Sequence, residues 1–343
     1  MPFVSVIIPC RDEENFIGVC LDSIIASDYP KDKLEVLVVD GLSEDGTREI
    51  VEGYAQRYPF IRLLDNPDKI TPCALNLGIK HAKGEIIMIM GAHATYEGRY
   101  VSKCIKYLKE YNADNVGGIS ITLPGSDSLV GNAIALVLSS PFGVGNAYFR
   151  IGSKEPRYVD TVPFGCYKKE VFERIGLFDE DLVRNQDDEF NLRVIKNGGR
   201  ILLVPEIVSY YYARDSLAKL WNMYFQYGYF KPLVAQKIGA VLTWRQLIPA
   251  VFVGSLVLAG LLSFLSNYCS WLFFLIMLLY LSANLAFSLS TAIRKGLKLL
   301  PALILSFATL HFSYGVGYLK GIWDFVILKK HLKRKVEDMP ITR

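Results

Sequence analysis

Val4-Ser-Val-Ile-Ile8, near the start of the chain, is a mostly β-branched run interrupted only by Ser5. Such a run is typical of a strand that is buried on both faces of a sheet. Residues 34–39 (LEVLVV) and 85–90 (EIIMIM) repeat the pattern, and residues 14–26, between the first two runs, have helical spacing. Because strands alternate with helices, the sequence predicts an α/β domain with a parallel sheet built of βαβ units.

The loops that follow the first two predicted strands are acidic. They read Pro9-Cys-Arg-Asp-Glu-Glu14 and Asp40-Gly-Leu-Ser-Glu-Asp-Gly-Thr47. Neither loop contains G-x-G-x-x-G, and G-x-x-x-x-G-K-[ST] occurs nowhere in the sequence, which argues against a dinucleotide-binding dehydrogenase and a P-loop NTPase. Ligands of parallel sheets bind beyond the carboxyl ends of the strands, where Asp40 is placed to accept hydrogen bonds from a nucleobase or a ribose. The alternative is an ordinary βα turn, which also favours Asp, Gly and Ser.

Apolar residues are concentrated towards the C-terminus. Hydrophobic residues make up 51% of the 343 residues, and the mean hydropathy is +0.26. Residues 246–293 are 48 consecutive positions without Asp, Glu, Lys or Arg. Since about 20 apolar residues span a bilayer, this run predicts two spans, at about 247–266 and 271–290, with a turn at about 267–270. A third apolar segment at about 299–319 completes a predicted membrane region over about 246–328.

Basic residues flank this membrane region. Arg294, Lys295 and Lys298 follow the second span, and the tail at 329–343 is basic. Cytoplasmic loops carry the excess of Lys and Arg, so we expect a multi-pass protein of the cell (inner or plasma) membrane with a cytosolic N-terminal domain. Three full spans would put the basic tail outside; the alternative is a re-entrant or interfacial third segment. The aromatic segment at 216–245 is expected to lie at the membrane interface, or else to be an ordinary core helix.

The net charge and the cysteines argue against other classes of protein. Lys and Arg number 38 against 34 Asp and Glu, and a net charge of +4 is too mild to indicate a nucleic-acid partner. The six cysteines include no C-x-x-C pair, which argues against a zinc ribbon or a thioredoxin-type site. Scattered cysteines of this kind are typical of a cytosolic domain with reduced thiols.

Several motifs together resemble the family 2 glycosyltransferases. They are Val6-Ile-Ile-Pro-Cys-Arg-Asp-Glu-Glu14, Val39-Asp-Gly-Leu-Ser-Glu-Asp-Gly-Thr47, Ala74-Leu-Asn-Leu-Gly78 and Ala82-Lys-Gly84. Their order and spacing match the family over residues 1–215, the expected catalytic domain. The membrane tail is similar to that of the succinoglycan-type glucosyltransferases, which make bacterial exopolysaccharide. The resemblance implies a GT-A fold, a Rossmann-like nucleotide-diphospho-sugar transferase domain, followed by C-terminal transmembrane helices.

The resemblance also implies a donor site. Members of the family transfer a sugar from a nucleotide-diphosphate donor, with inversion at the anomeric carbon and with a divalent metal, Mn²⁺ or Mg²⁺. The residues that would line the nucleoside are Pro9, Arg11, Glu13 and Asp40. Lys69 and Asn76 would lie near the donor.

The family's metal motif, D-x-D, falls on Gly91-Ala92-His93 in this chain. Gly91 has no side chain to offer, but a neutral imidazole nitrogen of His93 is also a possible ligand for a metal or partner for the diphosphate. The alternatives are that His93 is a polar loop residue, or that the site is poor in metal or degenerate.

The family's catalytic base is expected in an acidic motif that opens a helix. Asn185-Gln-Asp-Asp-Glu-Phe-Asn-Leu-Arg193 fits that description, and aligning Leu192-Arg193 with the family's closing L-R places Asp187 as the base. Asp188 is the alternative, because a shift of one residue exchanges the two. An inverting displacement needs one carboxylate near the acceptor hydroxyl. Acidic residues at the start of a helix also have a purely structural explanation, because their negative charge interacts favourably with the helix dipole.

The expected function is that of a non-processive inverting glycosyltransferase. We expect a UDP-sugar or similar donor and a lipid-linked glycan acceptor at the cytosolic membrane face, in the synthesis of exopolysaccharide or another surface glycan. The Q-x-x-R-W motif of processive members is absent from the sequence, which indicates addition of a single sugar. The alternatives are a polyprenyl-phosphate sugar synthase and a catalytically silent membrane scaffold of the same fold. His311, inside the third apolar segment, is a further candidate or a histidine bonded to helix backbone.

Overall fold

The computed structural model describes residues 1–239 and 244–330, and the chain divides into two compact units. The sheet unit comprises Met1–Ile121 and Tyr148–Tyr212. The helical unit comprises Thr122–Ala147 and the chain from Ala213 onward. Residues 122–147 lie within the expected catalytic domain at 1–215, yet the structure groups them with the C-terminal helices because their apolar side chains pack there.

The strands and helices follow one another along the whole described chain. In order they are β1 (Val4–Cys10), α1 (Ile17–Ile25), β2 (Leu34–Asp40), α2 (Thr47–Arg57), β3 (Ile61–Asp65), α3 (Thr71–His81), β4 (Ile86–Ile89), β5 (Ala94–Tyr96), α4 (Tyr100–Glu110), β6 (Asn115–Leu123), α5 (Leu129–Leu138), α6 (Pro141–Val144), α7 (Tyr148–Ile151), β7 (Arg157–Tyr158), β8 (Cys166–Lys168), α8 (Lys169–Ile175), α9 (Gln186–Lys196), β9 (Ile201–Tyr212), α10 (Leu217–Ile238), α11 (Trp244–Leu262), α12 (Asn267–Lys295) and α13 (Leu300–Gly321).

β1 is covered on both faces, as its apolar sequence predicts. Val6 and Ile8 are fully buried in one hydrophobic core, whereas Ile7 is fully buried in a second core on the other face of the sheet. β2 alternates in the same way, with Val36 and Leu37 in opposite cores. The two cores explain why these strands are continuous apolar runs rather than alternating ones.

The first four strands form the predicted parallel sheet. β2 pairs with β1 and β3, and β1 pairs with β4, all in parallel. The order β3-β2-β1-β4 means that the chain extends the sheet to one side of β1 and then returns to the other side. In open α/β sheets the crevice at such a switch point is where ligands bind, beyond the carboxyl ends of the strands. The ends of β1, β2 and β4 therefore define the site.

The second half of the sheet is antiparallel, which the sequence did not predict. In the described residues the sheet has nine strands, and β4 continues into β8, β6, β9 and β5, with β7 paired to β9. β9 is the longest strand of the described residues and continues through Pro205 to Tyr212. β9 tolerates Pro205 because this residue lies between the segment that pairs with β7 and the segment that pairs with β5.

Three helices in the described residues, within Arg245–Leu262, Asn267–Lys295 and Leu297–Ile327, are long and apolar enough to cross a membrane. α12 has 29 residues, about 43 Å of helix, which exceeds a hydrocarbon core of about 30 Å. The expected turn at 267–270 is wrong, because α12 begins at Asn267 with Ser266 as its side-chain cap. Residues 331–343 of the expected basic tail lie outside the described residues.

The aromatic helix α10 packs closely against α13 within the helical unit. A Cβ added to Gly228 would lie 2.1 Å from the carbonyl oxygen of Tyr314, and one added to Gly317 would lie 2.2 Å from that of Phe225. Glycine therefore lets the two helix backbones meet, as small residues do between membrane helices. Tyr224 is buried in this contact region of the helical unit, as in an ordinary core helix. Location of α10 at a membrane interface stays a prediction.

His311 on α13 joins three helices of the helical unit. Its Nε2 lies 2.8 Å from the carbonyl oxygen of Phe142 on α6, and its Nδ1 lies 3.2 Å from the hydroxyl of Tyr280 on α12. His311 is only 8% exposed, so both ring nitrogens serve packing of the helices. This arrangement supports the structural interpretation of His311.

Candidate active site

The loops after β1 and β2 are tied together by reciprocal hydrogen bonds. The backbone N–H of Asp12 donates to the hydroxyl of Ser43 at 2.8 Å, and the N–H of Glu13 donates to the hydroxyl of Thr47 at 2.7 Å. In return the N–H of Glu44 donates to the carboxylate of Asp12 at 2.9 Å. These hydrogen bonds hold the two acidic loops together at the carboxyl edge of the sheet.

Asp45 also links the loop after β1 to the start of α2. Its carboxylate accepts bonds from the backbone and hydroxyl of Thr47 at 3.0 and 2.5 Å, and from the N–H of Glu14 at 3.2 Å. Partial burial alone would raise the pKa of Asp45, but these hydrogen bonds outweigh it and lower the pKa. Asp45 therefore stays ionised and acts as an acceptor that begins α2.

Asp40, expected to line the nucleoside, is fully buried at the end of β2. Its carboxylate accepts bonds from the backbone N–H of Ser43 at 3.0 Å, from the Ser43 hydroxyl, and from Nη1 of Arg48 at 2.8 Å. The same Nη1 lies 2.8 Å from Asp65 at the end of β3. Hydrogen bonds to Asp65 and Asp40 raise the pKa of Arg48 further above its usual range. Arg48 therefore fixes the orientation of Asp40.

Arg11 and Lys69 approach each other across Gly41. A Cβ added to Gly41 would lie 3.3 Å from Cβ and Cδ of Arg11 and 3.3 Å from the carbonyl oxygen of Lys69. Nε of Arg11 lies 3.5 Å from the carboxylate of Asp12, and it has no hydrogen-bond partner within the described part of the chain. The structure thus brings together Arg11, Lys69 and the β2 loop, next to the partly buried Pro9.

Asn76 has a local role that sequence reasoning did not predict. Its amide nitrogen donates to the carbonyl oxygen of Phe178 at 2.9 Å and to the carboxylate of Glu180 at 2.8 Å. Its amide oxygen accepts from the N–H of Phe178 at 2.9 Å. Asn76 is 3% exposed and holds the segment that precedes α9. Its expected position near the donor stays a prediction.

Gly91 follows β4, and Phe164 fills the space beside it. A Cβ added to Gly91 would lie 2.7 Å from Cε1 of Phe164, closer than real Cβ atoms come to another heavy atom. The backbone N–H of Gly91 donates to the hydroxyl of Tyr96 at 2.7 Å, which fixes this turn. Ala92 is 4% exposed. The first position of the expected metal motif therefore has no room for a carboxylate while Phe164 holds this position.

His93 pairs with a residue from the opposite loop. Its Nδ1 lies 3.1 Å from Oε2 of Glu13, and its ring centroid lies 3.6 Å from that of Phe16. The rings of Tyr211 and Tyr212, at the end of β9, are 6.1 and 6.5 Å away. The antiparallel pairing of β5 with β9 brings these tyrosines to His93. The sequence placed Glu13 and His93 at the site separately but carried no signal that they touch.

Cys20 is buried against the backbone of this turn. Its Sγ donates to the carbonyl oxygen of Gly91 at 3.5 Å, and burial, with a smaller contribution from the charge of Glu13, raises the pKa of the thiol to about 12. A thiol with so high a pKa is neither a metal ligand nor a nucleophile. Cys20 is therefore part of the core.

At this turn the protein could supply a divalent cation with one ligand, an imidazole nitrogen of His93. The described residues contain no group of three His, Cys, Asp or Glu side chains arranged to hold a metal. Glu13 engages Nδ1 of His93, and the described residues provide no hydrogen-bond partner for Nε2. A histidine whose other ring nitrogen is held by a carboxylate is the common arrangement in metal sites. His93 fits a cation whose remaining ligands come from a diphosphate and water.

Asp187 and Asp188 lie in the first turn of α9, as expected. Asp187 is exposed and Asp188 is partly buried, whereas Glu189 is 3% exposed and forms a bidentate pair with Arg193 at 2.6 and 2.9 Å. Glu189 is therefore structural, which leaves the two aspartates as candidates. Burial and, secondarily, the charge of Asp187 raise the pKa of Tyr167, so Tyr167 stays neutral beside them.

Sequence reasoning missed three residues that shape the site, Phe16, Arg48 and Tyr96, and it did not predict the contact that Phe164 makes. Phe164 belongs to Phe164-Gly-Cys-Tyr167, which resembles the family's acceptor-side turn, but nothing in the sequence indicates that its ring lies against Gly91. Arg48 shows no motif either, since it is one of several charged residues in α2. These contacts join segments that are distant in sequence.

Comparisons with known proteins agree with this architecture. The family described as glycosyl transferase family 2 matches residues 5–175. The dolichyl N-acetyl-α-D-glucosaminyl phosphate 3-β-D-2,3-diacetamido-2,3-dideoxy-β-D-glucuronosyltransferase of Methanococcus voltae is 31% identical over 333 residues, covering 94% of this chain and 98% of the relative. The succinoglycan biosynthesis protein ExoA of Rhizobium meliloti (strain 1021) is 26% identical over 322 residues, covering 93% and 95%.

Two solved structures have the same fold. The mannosyltransferase PcManGT of Pyrobaculum calidifontis, in complex with GDP-Man and Mn²⁺, aligns with a TM-score of 0.62 at 22% identity, covering 94% of this chain and 88% of that one. Residues 1–349 of TarS from S. aureus align with a TM-score of 0.51 at 19% identity, covering 92% and 90%. At these identities the likeness concerns the fold.

Proposed function

Because this chain belongs to glycosyl transferase family 2, we propose that it transfers a sugar from a UDP-sugar or similar donor to a lipid-linked glycan acceptor. It is a glycosyltransferase with a GT-A fold. The observation that carries the proposal is the match to the Methanococcus voltae enzyme, whose name specifies a dolichyl-linked acceptor and which aligns over 98% of its length. The match to ExoA supports a role in exopolysaccharide or surface-glycan synthesis.

The nucleoside is proposed to bind at the carboxyl ends of β1 and β2. Pro9, Arg11 and Glu13 come from the first loop, and Asp40 ends the second strand. Ser43, Arg48 and, at 3.8 Å, the thiol of Cys10 already donate to the carboxylate of Asp40, so a base or a ribose would take the place of one of these donors. Arg11, whose Nε has no hydrogen-bond partner in the described residues, supplies a cation for the same ligand.

The diphosphate is proposed to lie near Gly91, Ala92 and His93, at the end of β4. Lys69 and Asn76 complete the donor side in this proposal. His93 would hold the divalent cation, and the Mn²⁺ that accompanies GDP-Man in the PcManGT complex supports such an ion in this fold. When bound, the cation neutralises charge on the leaving diphosphate.

Asp187 is proposed as the general base, with Asp188 as the alternative. The acceptor hydroxyl attacks the anomeric carbon, the bond from that carbon to the diphosphate oxygen breaks, and Asp187 takes the hydroxyl proton. Attack from the side opposite to the leaving group inverts the anomeric configuration. The site on α9 suits this role because Asp187 is exposed, whereas Glu189 is committed to Arg193.

The membrane region is proposed to anchor the enzyme as a multi-pass protein of the cell membrane with its sheet unit on the cytosolic side. Three apolar helices of sufficient length support the anchor, and the basic residues at 294–298 support the orientation. A lipid-linked acceptor would then be presented at the surface where nucleotide sugars are available. Addition of one sugar rather than a polymer agrees with the absence of Q-x-x-R-W from the sequence.

A donor and acceptor screen with the full chain in detergent or membranes tests the proposal. UDP-sugars and GDP-Man are offered with a polyprenyl-diphosphate-linked sugar and, separately, with polyprenyl phosphate, and the lipid product is measured by mass. We expect one added sugar on the glycan-bearing lipid. Transfer to the bare phosphate alone would instead identify a polyprenyl-phosphate sugar synthase, and no binding of any nucleotide in calorimetry would identify a silent scaffold.

A further inference from the structure

Residues 122–147, called the insert below, interrupt the sheet unit. Both ends of the insert are joined to that unit, and its longest helix, α5, has 10 residues. Such a helix is about 15 Å long, about half of the hydrocarbon thickness of a bilayer. The insert is therefore too short to cross a membrane and return, and it lies on the same side of the membrane as the sheet unit.

The two helices of highest mean hydropathy, α11 and α12, each meet the insert near one end. Arg245, in the first turn of α11, donates from Nη1 to the amide oxygen of Asn146 at 2.9 Å. Phe287, in the C-terminal third of α12, stacks on Phe142 with ring centroids 4.5 Å apart and an interplanar angle of 1°. α11 therefore begins, and α12 ends, on the side of the sheet unit.

The apolar surface that a bilayer could cover belongs mainly to these two helices. Their exposed large apolar side chains include Ile248, Leu258, Leu261, Trp271, Leu275 and Leu279. α13 differs, because its exposed large apolar side chains in the described structure are Leu305 and Val316. Length and composition alone make α13 a candidate span, but its packing leaves it little surface for lipid.

α10 begins and ends on the side of the sheet unit. It starts four residues after β9, the last strand of that unit. Residues 239–243 separate its end from α11, and five extended residues reach about 18 Å at most, too short for a bilayer. Since α11 begins on the side of the sheet unit, α10 must end there. Lys231, near the middle of α10, would otherwise lie in hydrocarbon, where a charged side chain is costly.

α13 runs beside α10 in the same direction. A Cβ added to Gly317 would lie 2.2 Å from the carbonyl oxygen of Phe225. Four residues further along both helices, a Cβ added to Gly321 would lie 2.1 Å from the carbonyl oxygen of Tyr229. The hydroxyl of Tyr229 also donates to Asp324, just beyond α13, at 3.0 Å. α13 therefore ends beside the second half of α10, a helix that does not cross.

We propose that α11 and α12 alone cross the membrane, as a hairpin whose outer face contacts lipid hydrocarbon, and that α13 lies with α10 on the side of the sheet unit. Residues 263–266, between α11 and α12, then reach the opposite side. The basic residues that follow α12 and α13 share one side, as the preference of Lys and Arg for cytoplasmic loops predicts. They are Arg294, Lys295, Lys298, Lys320, Lys329 and Lys330. The inference rests on the proposed membrane anchor and is independent of the transferase chemistry.

Labelling of single cysteines with a membrane-impermeant maleimide tests this topology on the full chain in cells. Cys73→Ser with Cys269→Ser is the background, because the other four cysteines are buried. One exposed position is then changed at a time: Phe264→Cys, Lys298→Cys, Lys329→Cys or, to mark the sheet unit, Gly53→Cys. We expect Phe264→Cys to be labelled in intact cells, and the other three only after the cells are permeabilised.

Two labelling patterns overturn the proposal. Position 329 labelled on the side opposite to positions 53 and 298 identifies α13 as a third span. Position 264 labelled on the same side as position 53 excludes the hairpin. Alkaline phosphatase fused to the C-terminus of the unaltered chain gives a second measurement that depends on no cysteine. We expect this fusion to be inactive and the corresponding green fluorescent protein fusion to fluoresce, whereas an active phosphatase contradicts the proposal.

The outcomes also separate this inference from the proposed function. Release of the chain from membranes by alkaline carbonate contradicts the proposed anchor and the hairpin together. A labelling pattern of three spans, in a chain that transfers sugar, contradicts the hairpin alone. The expected labelling pattern in a chain that transfers no sugar from any donor supports the hairpin and contradicts the proposed function alone.

Discussion

The ring of Phe164 lies so close to Gly91 that a β-carbon at position 91 would be 2.7 Å from Cε1 of the phenylalanine. The backbone of Gly91 is held in place by Tyr96, whose hydroxyl accepts from its N–H at 2.7 Å. Tyr96 also packs edge-on against Phe164, with centroids 5.4 Å apart. The departure from the family's metal motif is therefore built into the packing around β4.

Gly91→Asp should destabilise the protein rather than restore a metal site. The new side chain must displace Phe164, and overpacking of this kind costs about 1–3 kcal/mol. The unfolding temperature in detergent measures the loss. Gly53→Asp is the matched control, because a Cβ at Gly53 meets nothing within 4 Å. Unchanged thermal stability in Gly91→Asp, with tighter Mg²⁺ binding, would contradict the steric explanation.

Asp187→Asn should abolish transfer while donor binding stays within about twofold of wild type. A general base contributes about 10²–10⁴-fold to the rate, so we expect a loss in kcat of that order. Single-turnover transfer and nucleotide titration measure the two quantities. Asp188→Asn tests the alternative base, and Glu173→Gln, an exposed acid on α8, is the control. Full activity in Asp187→Asn would exclude it as the base.

Arg48→Met should destabilise the sheet unit, because it leaves the fully buried Asp40 without its cation. Breaking a buried pair costs about 3–5 kcal/mol, and we expect the lower end because the side chain of Arg48 is itself 29% exposed. Chemical unfolding measures the effect, with Arg57→Met, at the exposed end of α2, as control. Equal stability of the two variants would show that the remaining donors, Ser43 and the thiol of Cys10, are enough to hold Asp40.

Asn76→Ala should lower both stability and kcat. Three hydrogen bonds to Phe178 and Glu180 are lost, and leaving buried partners unsatisfied costs about 1–3 kcal/mol. The freed segment leads into α9, so catalysis should suffer more than nucleotide affinity. Asn197→Ala, which removes one exposed bond at the end of α9, is the control. A loss confined to donor affinity would indicate direct contact with the donor instead.

Gly317→Ala should destabilise the helical unit. Its new methyl group would lie 2.2 Å from the carbonyl oxygen of Phe225, so α10 and α13 must move apart. We expect a loss of about 1–3 kcal/mol in detergent. Gly254→Ala on α11 is the control, since the nearest atom to its Cβ is an ordinary 3.6 Å away. Similar behaviour of the two variants would show that the helices are not limited by backbone contact.

Much of the fold can be predicted from the sequence. The parallel strands β1, β2 and β4 were predicted because strands covered on both faces are continuous apolar runs, such as Val4-Ser-Val-Ile-Ile8. The three apolar helices were predicted because spanning a bilayer requires length and the absence of charge. The antiparallel strands β5, β6 and β8 were missed, since they are short or contain glycine and carry no clear period.

The candidate site, like the fold, was predicted in part from the sequence and decided in part by the tertiary structure. The sequence alone determined its location and its residue types, because acidic loops that follow buried parallel strands must meet at one edge of the sheet. Only the tertiary structure decided which side chains pair: Glu13 with His93, Arg48 with Asp40, and Phe164 against Gly91. Local patterns specify elements and their ends. Contacts between residues far apart in the chain, such as Gly91 with Phe164, depend on how the sheet is ordered and on which side chain fills the space that remains.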